Sequence, residues 1–442
     1  MLLAVVWRSL PYTMTRGLVL FSVLCLCPLG LFASSVTYTG YVTDSGTPAR
    51  FRVDGKQIEC TPATRVTTEP SRRPEPCPSL WLGEELTLRA KKEKHSGALL
   101  AVSLDILPPG DHEVKGSAVI DRIIAPPDTA GNITISADGY TILVPGTLHP
   151  AFQAPLTSHS PVTTNLWLKY SGTQHADGSV TANSVDYSQN ELKDREKNAN
   201  RKKEFDPAAV TEKDRQSRLG KTFFGMNPKR FPAVHDPQMQ QRVDRIGERL
   251  IPTYQRELPA DAPAKINFRF QVIDQQKLND AVTLSNGIIL IPQPVVAKLQ
   301  DDSELATVLA DNIACALEKQ ELRLIPARRL ETAGIFAVDA AGVFVPGLGA
   351  VALSKYAIED ILKRQELAQS ARVSLVLLHQ AGFDIDKAPL AWWTLGDPAA
   401  DPLDRTRLPD RARYLYYVLG STWPPTTAAS SPAQPAMKPV RH

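Results

Sequence analysis

The hydrophobic pattern changes its period near the middle of this 442-residue chain. Between residues 36 and about 187, short runs such as SVTYTGYVT and NITISADGYTILV alternate or are rich in β-branched residues, with Gly, Asp and Pro between them. Such runs predict β-strands. Beyond residue 236, apolar residues recur at spacings of three and four, as in Val243, Ile246 and Leu250, which predicts helices. The sequence therefore predicts a multidomain chain with an all-β part followed by an α+β part.

A weak internal repeat divides the β part. The run VDGKQI is echoed by ADGYTI, and SGALLAVSLDI has a gap-free echo in DGSVTANSVDY. Trp81 and Trp167 occupy equivalent places upstream of this second pair. We predict tandem β modules, small barrels or sandwiches, at residues 36–108 and 109–187, with the two Trp side chains in their cores.

The first 35 residues have the pattern of a secretory signal peptide. The apolar run GLVLFSVLCLCPLGLFA is followed by the small residues ASS. We expect export to the periplasm or the extracellular space, with an uncleaved membrane anchor as the alternative. In an oxidising compartment Cys60 and Cys77 could form a disulfide; two unpaired thiols are the other interpretation.

The remaining segments have distinctive compositions. Residues 188–232 contain a dense mixture of charges, which is typical of a solvated linker or helix. Residues 423–442 form a Pro-rich tail that we expect to be disordered. The apolar stretch 335–353 is interrupted by glycines and predicts a packed connection, with peripheral membrane contact as the alternative. A net charge of +3 gives no support to nucleic-acid binding.

The run ELATVLADNIACALEKQ predicts the central helix of the second half. Asp302 or Ser303 is the expected N-cap. Its buried stripe is expected to consist of Leu305, Val308, Leu309, Ile313 and Leu317.

From Asp236 to about Gly420 the order of motifs resembles the HtpX- and BepA-like zinc metallopeptidases, peptidase family M forty-eight. The runs that carry the resemblance are MQQRVDRIGERLI, FRFQVID, LNDAVTLSNGIILI, ELATVLADNIAC and AQSARVSLVLLHQAGFD. The resemblance implies a zincin-like domain over residues 233–422. In the family, a helix carrying HExxH supplies two zinc ligands and the general base, and a later helix supplies a Glu ligand.

The chain departs from the family at each of these sites. Asp311 and Cys315 stand at the two His positions, and Asn312 replaces the general base. An amide cannot take a proton in the working pH range, and loss of such a base costs about 10²- to 10⁴-fold in rate. We therefore predict no catalytic residue in this helix.

The later family positions are altered as well. Leu367 falls at the third ligand position, with Glu366 one residue away as a substitute, and Arg407 replaces a His that the resemblance implies to assist near the transition state. We expect a degenerate metallopeptidase-like domain, a pseudoenzyme with no metal or other cofactor. The alternative is an active zinc endopeptidase that uses Asp311, Cys315 and Glu366 as substitute ligands.

Three functions are compatible with these residues. The first is a non-catalytic exported protein with a peptide-binding or scaffolding role in the cell envelope, in protein quality control. Its partner would be an extended or unfolded polypeptide, paired with a strand near NGIILI, or an envelope protein. The second is the zinc endopeptidase with substitute ligands. The third is a purely structural module.

Overall fold

The structure is a computed structural model that describes residues 35–68, 77–92, 98–106, 111–192, 233–284, 286–320, 322, 355–396 and 408–423. These residues belong to one compact unit that begins at Ser35. Several predictions lie outside the described residues: those on the signal peptide, on most of the charged linker, on the stretch 335–353, on the tail after Trp423, and on Arg407.

The first barrel is a closed five-stranded sheet. Its strands are β1 (Ser35–Thr47), β2 (Arg50–Val53), β3 (Lys56–Glu59), β5 (Glu85–Lys92) and β6 (Leu99–Asp105). A short strand, β4 (Arg65–Thr67), pairs in parallel with β6. Neighbours follow the order β3-β2-β1-β5-β6, and a parallel pairing of β6 with β3 closes the ring. Because the fourth barrel strand returns to lie beside the first, this is a Greek-key barrel. Alternate side chains such as Phe51, Val53, Leu86 and Leu88 fill its core.

The second barrel repeats this plan. Its strands are β7 (His112–Ala125), β8 (Ile133–Ala137), β9 (Tyr140–Val144), β11 (Leu166–Gln174) and β12 (Val180–Gln189), with β10 (Ala151–Phe152) added on β12. The order is β9-β8-β7-β11-β12, closed by parallel pairing of β12 with β9. The all-β region is thus confirmed, and its modules are barrels.

The sequence repeat corresponds to equivalent turns and strands. The Asp-Gly pairs of VDGKQI and ADGYTI form the tight turns β2–β3 and β8–β9, and all four residues have positive φ. Asp-Gly is favoured there because a two-residue hairpin turn of this type needs positive φ at both positions. The second repeated run forms β6 in one barrel and β12 in the other.

The prediction that Trp81 and Trp167 fill the barrel cores is wrong. Both are partly exposed. On β11 every second residue is buried, among them Leu166, Leu168 and Tyr170, so strand alternation turns Trp167 to the outside. There it packs against the core of the helical region.

The second half combines helices with a three-stranded sheet. The sheet contains β13 (Arg269–Ile273), β14 (Val282–Thr283) and β15 (Ile288–Pro292). The helices are α1 (Pro237–Leu250), α2 (Thr253–Glu257), α3 (Gln293–Lys298), α4 (Asp302–Leu317), α5 (Lys355–Gln380), α6 (Ala388–Leu395) and α7 (Asp410–Thr422), with a 3₁₀ turn at Ile385–Lys387. Among the described residues, no helix is long and apolar enough to cross a membrane.

Helix α4 lies at the centre of this half. Every residue from Leu305 to Ala314 is buried, so the helix is covered on all sides, beyond the single stripe that the sequence predicted. The N-cap is Asp301, whose carboxylate accepts hydrogen bonds from the backbone N–H groups of Ser303 and Glu304. The predicted caps Asp302 and Ser303 are therefore wrong by one and two residues, because Asp302 pairs instead with Arg242 of α1.

Buried polar contacts join the second barrel to the helices. We call Asp138, Tyr170, Glu318, Gln369 and Arg372 the junction network. Arg372 of α5 pairs with Asp138 at 2.7 Å, and the Tyr170 hydroxyl donates to the same carboxylate at 2.7 Å. Gln369 donates to Asp138 at 3.0 Å, and Glu318 accepts from a backbone N–H of β7. Since buried charges are tolerated when paired and hydrogen-bonded, this network fixes the barrel against α5.

Candidate functional site

The positions that the resemblance assigns to metal ligands lie where α4 packs on α5, close to Arg411 of α7. Asp311 and Asn312 are neighbouring buried residues of α4, and Cys315, one turn after Asp311, is partly buried. Glu366 and Leu367 lie on α5 and are partly buried. The fold therefore gathers these predicted positions in one region.

An arginine from α7 binds Asp311. The Arg411 guanidinium lies 3.3 Å from the Asp311 carboxylate through Nη1 and 2.7 Å from the Asp280 carboxylate through Nη2. It also stacks over the Trp392 ring, 4.3 Å from the ring centre. One fixed positive charge is thus held between two carboxylates and an aromatic face.

Burial controls the charge of Asp311. Loss of solvent raises the pKa of its carboxyl from 3.8 to about 6; Arg411 opposes this shift and Asp280 adds to it. The carboxyl therefore remains mostly ionised at neutral pH and takes up a proton in mildly acidic solution.

Asn312 is held by hydrogen bonds at both ends of its amide. Its Nδ2 donates to the Val308 carbonyl at 2.8 Å. The Thr283 hydroxyl, on β14, donates to Oδ1 at 2.7 Å and also lies 3.0 Å from the Asn312 carbonyl oxygen. The side chain therefore ties α4 to β14, a structural task that an amide performs well.

Cys315 is in hydrogen-bond contact with α5. Its Sγ lies 3.4 Å from the Ser370 hydroxyl, and Ser370 donates to Gln320 at 3.1 Å. Burial raises the pKa of the Cys315 thiol, and the negative charge of Asp311 adds to the rise. Because the thiolate is the form that binds metals, this environment weakens Cys315 as a ligand.

This set of donors does not suit zinc. A guanidinium already lies against Asp311, and its charge would repel a second cation. Leu367 offers no donor atom. Within the described ranges, no three His, Cys, Asp or Glu side chains converge on a point that could hold a metal ion.

Sequence reasoning missed three residues of this region. Arg411 is distant in sequence from α4, and the run LNDAVTLSNGIILI, which contains Asp280 and Thr283, does not single out these two residues. A signal was present for Arg411, since it lies in RTRLPDRARYL, close to the predicted position of Arg407. That run nevertheless gives no indication of which arginine would reach Asp311.

The sheet beside α4 has β13 and β14 as its edge strands. Strand β15 pairs with β13 on one side and with β14 on the other, so its two edges are occupied. A polypeptide that pairs with a strand near NGIILI would therefore have to use a strand other than β15. Within the described residues the strand beside α4 with an unpaired edge is β14, and exposed Asn279 precedes it.

The disulfide position is separate from this region. Cys60, directly after β3, is bonded to Cys77 in the first barrel. Cys60 is buried and both cysteines belong to that barrel's core.

Comparison with known proteins gives one distant similarity. The chain is 23% identical over 193 residues to a "putative beta-barrel assembly-enhancing protease" of Vibrio cholerae serotype O1 (strain ATCC 39315 / El Tor Inaba N16961). The aligned region covers 42% of this chain and 38% of that relative's length. No protein-family model matches the chain. This chain is therefore distantly similar to a protein named as a protease. The similarity is consistent with the resemblance to BepA-like peptidases.

Proposed function

We propose that this chain is an exported, non-catalytic protein of the cell envelope whose metallopeptidase-like half binds extended polypeptide. The observation that carries the proposal is the Asp311–Arg411–Asp280 arrangement. The Arg411 guanidinium lies against the carboxylate of Asp311, the residue at the first proposed ligand position. The general-base position holds an amide that is fixed by Thr283 and Val308.

The proposed binding element is the edge of β14. An extended segment that adds to a sheet edge gains main-chain hydrogen bonds, which give affinity without requiring any catalytic group. The relative's name, which refers to beta-barrel assembly, supports a role with other proteins during their assembly. On this proposal the domain holds such chains and does not cut them.

Two features support export. The first 35 residues have a signal-peptide pattern. The Cys60–Cys77 disulfide is of a kind that persists in oxidising compartments. The zinc endopeptidase with Asp311, Cys315 and Glu366 as ligands finds no supporting contact, since Asp311 is paired with Arg411.

The test is photo-crosslinking from the edge of β14. A photoreactive residue replaces exposed Asn279, and a control variant carries it at Leu143, 38% exposed on the second barrel. Reduced, carboxymethylated α-lactalbumin serves as the unfolded polypeptide. We expect crosslinks from position 279 but not from position 143, and no cleavage of the polypeptide after prolonged incubation.

Other outcomes separate the alternatives. Near-stoichiometric zinc in the purified protein, with cleavage that Asp311→Asn abolishes, would establish the endopeptidase. Equal crosslinking from both positions, or none from position 279, would leave the purely structural module as the better description.

A further inference from the structure

Strand β1 changes its partner halfway along. From Ser35 to Tyr41 it pairs with β5, and from Val42 to Thr47 it pairs with β2. Within the described residues no strand pairs with the opposite edge of β1 between Ser35 and Gly40. The first barrel therefore has an unpaired strand edge at the start of β1, long enough for about two residues to pair with an added strand.

The hydrogen bonds at the end of this segment show which main-chain groups point to that edge. The Tyr41 N–H donates to Asp54 Oδ1 at 3.1 Å, and the Tyr41 carbonyl accepts from the Asp54 N–H at 3.0 Å. The next residue, Val42, donates its N–H to the Glu84 carbonyl on the opposite side. Because main-chain groups alternate in direction and the β1–β5 register is unbroken, Thr37 and Thr39 point like Tyr41, away from β5.

The side chains of the same segment border a cleft. It has a volume of about 1010 Å³ and lies between β1, the β2–β3 hairpin and α6. Val36 and Tyr38 of β1 line the cleft, as do Leu390 and Trp393 of α6. Val36 is 49% exposed and Leu390 is 40% exposed, so apolar surface faces the opening.

The charges around the cleft balance. Three acidic side chains (Asp44, Asp54, Asp386) and three basic ones (Arg52, Lys56, Lys92) line it. This balance favours an uncharged occupant and disfavours a polyanion. Main-chain donors and acceptors at Thr37 and Thr39, spaced as in a β-ladder, are complementary to an extended peptide backbone.

We propose that the β1 edge of the first barrel binds one extended, uncharged polypeptide segment as an added strand. Its outward main-chain groups pair with Thr37 and Thr39, and its alternate apolar side chains enter the cleft opposite Leu390. This site is separate from β14 and does not depend on polypeptide binding there, although α6 of the second half lines part of the cleft.

The test uses a fluorescent ten-residue peptide of alternating Val and Thr with a Lys at each end. A second peptide has the same sequence with every Val and Thr amide N-methylated, so that no N–H of these residues remains to donate a ladder hydrogen bond. Binding is followed by fluorescence anisotropy. We expect the N-methylated peptide to bind at least tenfold more weakly.

Two variants locate the binding. Thr37→Pro removes a donor at the unpaired edge and leaves the β1–β5 ladder intact, so we expect at least tenfold weaker binding with an unchanged far-UV circular dichroism spectrum. Leu390→Asp places a charge on the α6 side of the cleft and should weaken peptide binding about fivefold or more. Leu143→Asp, on the second barrel and similarly exposed, is the matched control and should not weaken it.

Three results would overturn the proposal. One is the absence of peptide binding. Another is binding that N-methylation or Leu390→Asp leaves unchanged. The third is self-association, seen by sedimentation and lost in Thr37→Pro, because the edge would then be occupied by a second copy. Crosslinking from position 279 is measured separately, so failure here does not affect the proposal for β14.

Discussion

At the scale of single residues, Asp311 and Arg411 together explain why a carboxylate can stay inside the helical core. An isolated buried carboxylate is costly, and pairing with a fixed guanidinium offsets part of that cost. The remaining cost shows in the raised pKa of Asp311, about 6 against an ordinary 3.8. The folded protein therefore binds a proton at Asp311 more tightly than the unfolded chain does.

This linkage predicts a pH effect on stability. Lowering the pH from 7.5 to 5 protonates Asp311 in the folded protein before it does so in the unfolded chain, which stabilises the fold. We expect the wild type to gain about 1 kcal/mol in unfolding free energy over this range relative to Asp311→Asn. Urea unfolding of both proteins at each pH measures the difference. A gap between the two proteins that does not change with pH would contradict the raised pKa.

At the scale of elements, the sequence predicted the strands and helices whose pattern is local. The Asp-Gly hairpin turns and the alternation of β6 and β12 follow from residues close in sequence. The positions of Trp167 and Arg411 do not, because each depends on which distant element packs against it. For the same reason the sequence could single out Asp311, Asn312 and Cys315 as predicted site positions, whereas it could not identify their partners Arg411, Thr283 and Ser370.

The disulfide belongs to the first barrel and closes a loop between residues 17 apart in sequence. Removing such a crosslink typically costs about 3 kcal/mol, mainly through the greater freedom of the unfolded chain. We expect Cys60→Ala/Cys77→Ala to lose about this much in urea unfolding. When unfolding is repeated in the presence of a reductant, Cys315→Ala serves as the control, because Cys315 is not bonded to another cysteine. If reductant lowered the stability of the double variant as much as that of the wild type, the disulfide would not be its target.

At the scale of the whole molecule, the junction network links the second barrel to the helical half. Asp138 is almost fully buried, and Arg372 is largely so. Three side chains, Tyr170, Gln369 and Arg372, hydrogen-bond the Asp138 carboxylate, so the contact has a defined geometry. From this junction we expect the second barrel and the helices to unfold in one cooperative event.

Arg372→Met tests this coupling. The substitution leaves Asp138 buried without its cation, which typically costs about 3–5 kcal/mol, and that cost falls on the junction. We expect calorimetry to show one shared transition for the second barrel and the helices in the wild type and two separate transitions in the variant. Lys169→Met changes an exposed residue of the same barrel. It should keep the single transition and leave the unfolding free energy within about 0.5 kcal/mol of the wild-type value. If Arg372→Met lowered the melting temperature but kept a single transition, the barrel and helices would be coupled mainly by apolar contacts such as that of Trp167, and the junction network would serve stability alone.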